Sequence, residues 1–260
     1  MKAMILAAGL GTRLRPLTDN RPKALVEVAG RTLLEICLSR LRTFGMSEVI
    51  VNVHHFADMV IGYLKSKNNF GMRIEISRED VLLDTGGGLK KAAWFFLDDP
   101  NRLDEPFLLH NVDVISNIDL RAMLQFHNEH CALATLAVQS RETSRPLLFN
   151  GQNQLCGRRI AGKDTLISIP HHAVIPSEAR NLSSAPLQAL AFSGIHLISP
   201  RLLPMLTEEG VFSIISSYLR LAAQGEKILA FRADQYYWRD LGRAADLTQA
   251  AHDLQQRVFL

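Results

Sequence analysis

Leu6-Ala7-Ala8-Gly9-Leu10-Gly11-Thr12-Arg13-Leu14-Arg15-Pro16-Leu17-Thr18 begins inside the apolar run Met1 to Ala8 and leaves it at Gly9. A short apolar run that stops at glycine reads as a buried strand delivering a loop. In an open α/β sheet that loop lies at the ligand crevice. Its composition suits an anion. Leu6 and Ala8 bring the chain in, and Gly9 and Gly11 let backbone N–H groups approach without a Cβ in the way. Thr12 adds a hydrogen-bond donor and Arg13 a fixed positive charge. Lys23, ten residues beyond Arg13 and preceded by Pro22, supplies a second cation. Two better-known phosphate loops do not fit. No Gly-Lys pair follows Gly9 at Walker spacing, and Leu14 stands where a dinucleotide fingerprint needs a third small residue.

Working outward, the chain alternates strand and helix patterns. Thr32 to Phe44 carries Leu33, Leu34, Cys37, Leu38 and Leu41 at helical spacing and stops at Gly45. Glu48 to Val53 reads as a strand, Met59 to Lys65 as helix, and Met72 to Ser77 as a third strand. Thr85 and three glycines open an apolar helix through Leu97, and Phe107 to His110 forms a fourth strand leading to Asn111 and Asp113. The alternation predicts an α/β fold with a mostly parallel, Rossmann-like mixed sheet covered by helices on both faces. Beyond Cys131 the texture changes. The segments Cys131 to Gln139, Pro146 to Phe149, Leu155 to Ile160 and Leu190 to Ile198 suggest a small antiparallel extension. Residues 162–188 show no sustained period and are expected to be a loop insertion. Phe212 to Ala223 returns to helical spacing. Ile228 to Ala233 and Tyr236 to Trp238 read as strands, and Arg243 to Leu254 as a last helix.

Composition narrows the functional classes. The chain has 260 residues, 47% of them apolar and 21% charged, and a formal charge of +3. This is ordinary for a globular protein with a real core, and one large domain is expected. The small net charge gives no reason to expect a nucleic-acid or membrane partner. No apolar run approaches the roughly 18–20 residues that span a bilayer. Cys37, Cys131 and Cys156 are odd in number and widely spaced, which points to a reducing, cytoplasmic setting. His127 and His130 share helical i, i+3 spacing, for which a solvated helix surface is the expected reading.

The loop Leu6 to Thr18, with Pro22-Lys23-Ala24-Leu25 and the Val28 to Arg31 turn, resembles the signature of the sugar-nucleotide pyrophosphorylases, the sugar-1-phosphate nucleotidyltransferases. The resemblance extends to Asp84 to Gly88, Asp113, Phe192 to Ile195, and Trp238 to Gly242. It implies a GT-A-like single nucleotidyltransferase domain, with a nucleotide-binding part over about 1–130, a sugar-binding part over about 131–242 and a terminal helix over 243–255. The implied reaction is attack by a sugar 1-phosphate oxygen on the α-phosphorus of a nucleoside triphosphate, with pyrophosphate leaving.

By that resemblance Gly11, Thr12 and Arg13 hold the triphosphate, and Lys23 reaches phosphates of both substrates. Asp113 and Asp240 hold Mg²⁺, for which two hard carboxylates are suitable ligands. Arg13, Lys23 and Asp113 are the catalytic set. Leu6, Ala8, Gly9, Gly86 and Gly87 are nucleotide contacts, with the N–H groups opening the Thr85 helix able to face a ligand. Asn111, Gly194 and Asp240 join Lys23 around the sugar phosphate. Two departures stand out: Val112 replaces the family's usual glycine before the metal aspartate, and no Glu-Lys-Pro segment for sugar hydroxyls is present. The Thr-Gly-Gly-Gly segment is similar to that of N-acetylmuramate 1-phosphate uridylyltransferases, which implies UTP. Mannose- or heptose-1-phosphate guanylyltransferases share nearly every element named, and a non-catalytic, regulatory relative that binds nucleotide sugars through the same fold is the alternative of a different class.

Overall fold

The computed structural model describes residues 1–160, 162–167 and 186–256. Strand β1 (Lys2–Leu6) runs into the glycine loop, and the short pair β2 (Glu27–Val28) and β3 (Arg31–Thr32) follows. Helix α1 (Leu33–Thr43), β4 (Glu48–Val53), α2 (Ala57–Ser66) and β5 (Arg73–Arg78) come next. The chain continues through α3 (Asp84–Lys91), α4 (Ala93–Phe96), β6 (Phe107–Asn111), β7 (Val114–Ser116) and α5 (Leu120–Glu129). The second half supplies β8 (Ala134–Gln139), β9 (Leu147–Phe149), β10 (Leu155–Ile160), β11 (Lys163–Leu166) and β12 (Gln188–Ile198). It ends with α6 (Ile214–Ala223), β13 (Ile228–Arg232), β14 (Trp238–Asp240) and α7 (Ala244–Gln255).

The main sheet is mixed, in the order β11-β10-β9-β12-β6-β1-β4-β5, with β8 and then β13 branching from β12. Strands β6, β1, β4 and β5 are mutually parallel, and β13 is parallel to β8. Strand β12 runs antiparallel to β6, β8 and β9 and so joins the parallel half to the antiparallel extension. Alternation along β1 sends Ala3 and Ile5 into one apolar cluster and Met4 into the other. The first cluster takes Leu34, Leu38 and Leu41 of α1, Val60 and Leu64 of α2, and residues of α5 and α7. The second takes Leu89 of α3, Phe95 and Phe96 of α4, and Ile214, Tyr218 and Leu221 of α6. Helices therefore cover both faces. Each fully buried leucine stabilises the fold by roughly 1.5–3 kcal/mol.

Local chemistry sets the helix ends. The Thr32 hydroxyl accepts from the Glu35 N–H at 3.1 Å, and Asp119 accepts from the N–H groups of Arg121 and Ala122. Gly45 ends α1 at φ +79°.

Four expectations need correction. The helix from Thr85 to Leu97 is broken at Ala92, whose N–H is shared between the Gly88 and Leu89 carbonyls, the tightening typical of a helix end. Part of the 162–188 insertion is strand β11, antiparallel to β10, and β12 already starts at Gln188. Residues 168–185 of that insertion lie outside the described residues. The strand expected at Tyr236 to Trp238 is instead Trp238–Asp240, because its partner β7 pairs with those residues. His127 is buried, not solvated, and its Nδ1 lies 2.9 Å from the Thr135 hydroxyl. Among the described residues, no helix is long and apolar enough to cross a membrane.

Candidate active site

The glycine loop leaves β1 with the Ala7 N–H donating to Asn52 Oδ1 at 2.7 Å. Asn52 in turn donates to Glu79 Oε1 at 2.7 Å, and both side chains are buried. Gly11 has φ +65°, and a Cβ there would lie 2.9 Å from Thr18 Cγ2 and 3.0 Å from Lys23 Cβ. The glycine is therefore needed twice, for its left-handed backbone and for the approach of Lys23. Thr18 closes the turn by donating to the Gly11 carbonyl at 2.9 Å. Thr12 and Arg13 stay exposed.

The buried Lys23 ammonium donates to Asp113 Oδ2. Strands β7 and β14 pair with Asp240 opposite Val114, and the Leu241 N–H donates to the Asp113 carbonyl at 2.8 Å. Two carboxylates distant in sequence are thereby neighbours. Burial raises the Asp240 pKa and the charge of Asp113 raises it further, against the opposing influence of Lys23, the Gly242 N–H and Arg13. Arg13 Nη2 lies 3.9 Å from Asp240 Oδ1, and the Gly242 N–H donates to the same oxygen at 2.8 Å. A Cβ on Gly242 would lie 2.5 Å from Asp240 Oδ1, so this position admits only glycine without a shift.

Three cavities meet at Asn111. One, of about 380 Å³, lies under the loop and is lined by Leu6, Ala8, Gly9, Lys23, Thr85 and Asp113, among others. A second, of about 700 Å³, holds Arg13, Arg141, Gly194, Trp238 and Asp240. A third, of about 470 Å³, extends from Thr85 to Arg145 and Arg158. Gly194 has φ +72°, and a Cβ there would meet Asn111 Nδ2 at 2.8 Å, so glycine brings β12 against Asn111. Arg141 stacks on Trp238 at 3.7 Å and donates to the Phe192 carbonyl at 2.7 Å. The Trp238 indole donates to the Ser193 carbonyl at 2.7 Å.

Gly86 and Gly87 do not line the cavity under the loop, and their N–H groups donate to the Phe212 carbonyl at 2.9 and 3.3 Å. The expected free N–H donors there are thus already used. Cβ atoms on Gly86 and Gly87 would lie 2.4 Å from the Phe212 ring and 2.5 Å from the Gly210 carbonyl, which is why this helix start is glycine. Asp84 and Thr85 of the same segment do line the cavity, as do Asn52, Glu79, Leu82 and Val211. The signal for Asn52 and Glu79 was present as polar residues within or ending apolar strands. Val112 is buried, has no positive φ among the described residues, and donates its N–H to the Leu6 carbonyl, so a β-branched residue is accommodated. Among the described residues no group of three or more His, Cys, Asp or Glu forms a metal cluster, and the candidate donors are the Asp113 and Asp240 pair.

The family described as Nucleotidyl transferase matches residues 2–148. An N-acetylmuramate alpha-1-phosphate uridylyltransferase of Caulobacter vibrioides is 34% identical, over 86% of this chain and 85% of that protein. A mannose-1-phosphate guanyltransferase of Pichia angusta is 27% identical over 95% of this chain and 62% of that longer protein. Among solved structures, HddC from Yersinia pseudotuberculosis complexed with GMP-PN shares the fold. Its TM-score is 0.73 at 19% identity, over 97% of this chain and 99% of that one. A family match over more than half of the chain, together with a 34% identical relative covered over 85% of its length, shows that this chain belongs to the nucleotidyl transferase family, among its sugar-1-phosphate nucleotidyltransferases.

Proposed function

We propose that the chain transfers a uridylyl group from UTP to N-acetylmuramate 1-phosphate, forming the nucleotide sugar and releasing pyrophosphate. One observation carries the reading: Lys23, Asp113, Asp240 and Arg13 form a continuous run of ionic contacts and neighbours where the cavities meet at Asn111. The choice of UTP and of this sugar is supported by the Caulobacter relative, and GTP with a mannose or heptose phosphate is the alternative supported by the Pichia one.

In this reading residues 1–130 of a single domain bind the nucleotide and residues 131–242 the sugar, with both substrates small cytosolic molecules. An oxygen of the sugar phosphate forms a bond to the α-phosphorus of UTP. The bond from that phosphorus to the bridging oxygen breaks, and pyrophosphate leaves with its electron pair. The nucleophile is already an anion, so no general base is required. What must be offset is mutual repulsion and the charge growing on the leaving group.

Arg13, exposed on the loop, meets the pyrophosphate. Lys23, at the wall shared with Asp113, binds phosphate oxygens between the two substrates. The N–H groups and hydroxyl of Gly11 and Thr12 hold the triphosphate. Asp113 and Asp240 suit a divalent cation, because burial and the neighbouring charge of Asp113 disfavour the ionised form of Asp240, and a bound cation would offset both. We propose Mg²⁺, a hard ion that takes few protein ligands and substrate phosphate oxygens. When bound, it neutralises phosphate charge as a Lewis acid.

Purified protein with Mg²⁺ is expected to release pyrophosphate from UTP only when a sugar 1-phosphate is present. A panel of UTP, GTP, dTTP, CTP and ATP against several sugar phosphates tests it. Preference for GTP moves the assignment to the alternative, and absence of turnover with every pair leaves only a binding module. Asp113→Ala is expected to remove metal-dependent turnover while the fold persists, and full activity in that variant refutes the metal assignment.

A further inference from the structure

The third cavity, beyond Asn111, has a charge pattern that the transfer reaction does not account for. It is lined by Arg145, Arg158 and Arg159 together with Phe192, Ile214 and Ile215. Arg159 is committed to Asp164. Among the described residues, Arg145 and Arg158 pair with no carboxylate, and the Arg158 Nε is buried without a hydrogen-bond partner. Among the described residues Asp84 is the one carboxylate in the lining, and its Oδ1 already accepts from the Thr85 N–H at 2.6 Å. The same residue also lines the cavity under the loop.

A cavity for an uncharged sugar needs acceptors for hydroxyl groups, and carboxylates are the usual ones. Here the donors outnumber the acceptors, and a desolvated guanidinium nitrogen without a partner is costly unless a ligand supplies the acceptor. The planar fork of arginine matches a carboxylate in two-point fashion. The apolar wall of Phe192, Ile214 and Ile215 suits a short alkyl arm carrying that carboxylate.

We infer that Arg145 and Arg158 are specificity-determining residues that bind a carboxylate carried on the sugar ring, so that the enzyme selects acidic sugar 1-phosphates. This rests on the nucleotidyl-transfer reading. N-acetylmuramate 1-phosphate carries such a group on its lactyl ether, and N-acetylglucosamine 1-phosphate is the same ring without it.

The test is kcat/KM for these two sugars with UTP and Mg²⁺, and for glucose 1,6-bisphosphate as a sugar bearing a second phosphate. The wild-type ratio of N-acetylmuramate to N-acetylglucosamine substrate is expected to be about tenfold or more. Arg158→Gln and Arg145→Gln are each expected to lower that ratio by about tenfold, with partial recovery in Arg158→Lys. Arg141→Gln, in the adjoining cavity, is expected to leave the ratio where it was. A wild-type ratio near one, a ratio unmoved by Arg158→Gln, or an equal effect of Arg141→Gln overturns the assignment. A preference for the bisphosphate replaces carboxylate by phosphate and also overturns it. Calorimetric binding of the two sugar phosphates to wild type and Arg158→Gln gives the same comparison without turnover. Preferential binding of the acidic sugar that is lost in the variant supports the inference even if no nucleotide is transferred, and equal binding refutes it.

Discussion

Replacing Gly11 by alanine perturbs the site through two separable effects, and a second glycine serves as its control. Gly11 and Gly45 both have left-handed backbones, at φ +65° and +79°. An alanine there costs about 1–2 kcal/mol from the backbone alone. A Cβ on Gly45 meets nothing within 4 Å, whereas on Gly11 it meets Thr18 Cγ2 at 2.9 Å and Lys23 Cβ at 3.0 Å. Relieving that overlap adds about 1–3 kcal/mol. Gly11→Ala should therefore cost about 2–5 kcal/mol and Gly45→Ala about 1–2 kcal/mol, which for a chain of this size is about 4–20 °C against about 2–8 °C in Tm. The overlap also pushes the stem of Lys23, whose ammonium holds Asp113. A displacement near 1 Å at such a group lowers turnover by about a hundredfold. Thermal or urea unfolding, combined with pyrophosphate release, reads both effects. Equal destabilisation of the two variants, or full activity in a folded Gly11→Ala protein, refutes the packing argument.

Other outcomes follow from the buried polar groups. Burial lowers the pKa of His110 and His127 to about 4 and of His196 to about 3, against 6.5 when unfolded. The folded state therefore binds fewer protons, so their contribution is present above about pH 6.5 and is lost as pH falls through the folded values, at up to about 1.4 kcal/mol per pH unit for each histidine. The urea midpoint should drop between pH 7.5 and pH 5, and an unchanged midpoint contradicts it. Glu79→Ala removes the acceptor of both Asn52 Nδ2 and the Leu83 N–H, at 2.7 and 2.9 Å, and should cost about 2–5 kcal/mol and raise the KM for nucleotide. Wild-type KM and stability would show that the Asn52–Glu79 pair does not shape the cavity under the loop. Tyr218→Phe leaves His196 Nδ1 without the hydroxyl 2.9 Å away, in a fully buried place, and should destabilise by about 1–3 kcal/mol without altering kcat. A kcat effect would connect α6 to the chemistry.

Where local pattern and burial coincide, the sequence was sufficient to place the structure. Helix α1 was legible because Leu33, Leu34, Leu38 and Leu41 are all buried at helical spacing between the Thr32 cap and Gly45, and β4 because all but one of its residues are buried. Strand β11 was not, since Lys163 to Leu166 are all exposed and carry no apolar period. That β1 would end in a loop beside a cavity was readable from the loop's own residues, but Gly86 and Gly87 show the limit of that reading. Their chemistry permits a ligand-facing N–H, and only the position of the Phe212 carbonyl decides that those donors are already used. Arg145 and Arg158 are less readable still, because a surface arginine and one lining a cavity look alike in sequence.

The junction of the site is the clearest case of information held by topology. Asp113 follows β6 and Asp240 ends β14, and nothing near either residue specifies the other. They meet because Trp238–Asp240 pairs antiparallel with Val114–Ser116, while Gly194 lets β12 close against Asn111 on the other side. The same pairing puts the Gly242 N–H on Asp240 and leaves no room for a Cβ between that carboxylate and Arg13. A short two-stranded ribbon thus sets the distance between the two carboxylates and the loop cation, which makes β7 and β14, rather than the large sheet, the elements whose register the proposed chemistry depends on. Inserting one residue inside the ribbon, between Trp238 and Arg239, moves Asp240 one place along and sends it to the other face while Trp238 keeps its partner Ser116. Turnover should then be lost while the parallel half of the main sheet, which makes no ladder with either strand, keeps its stability.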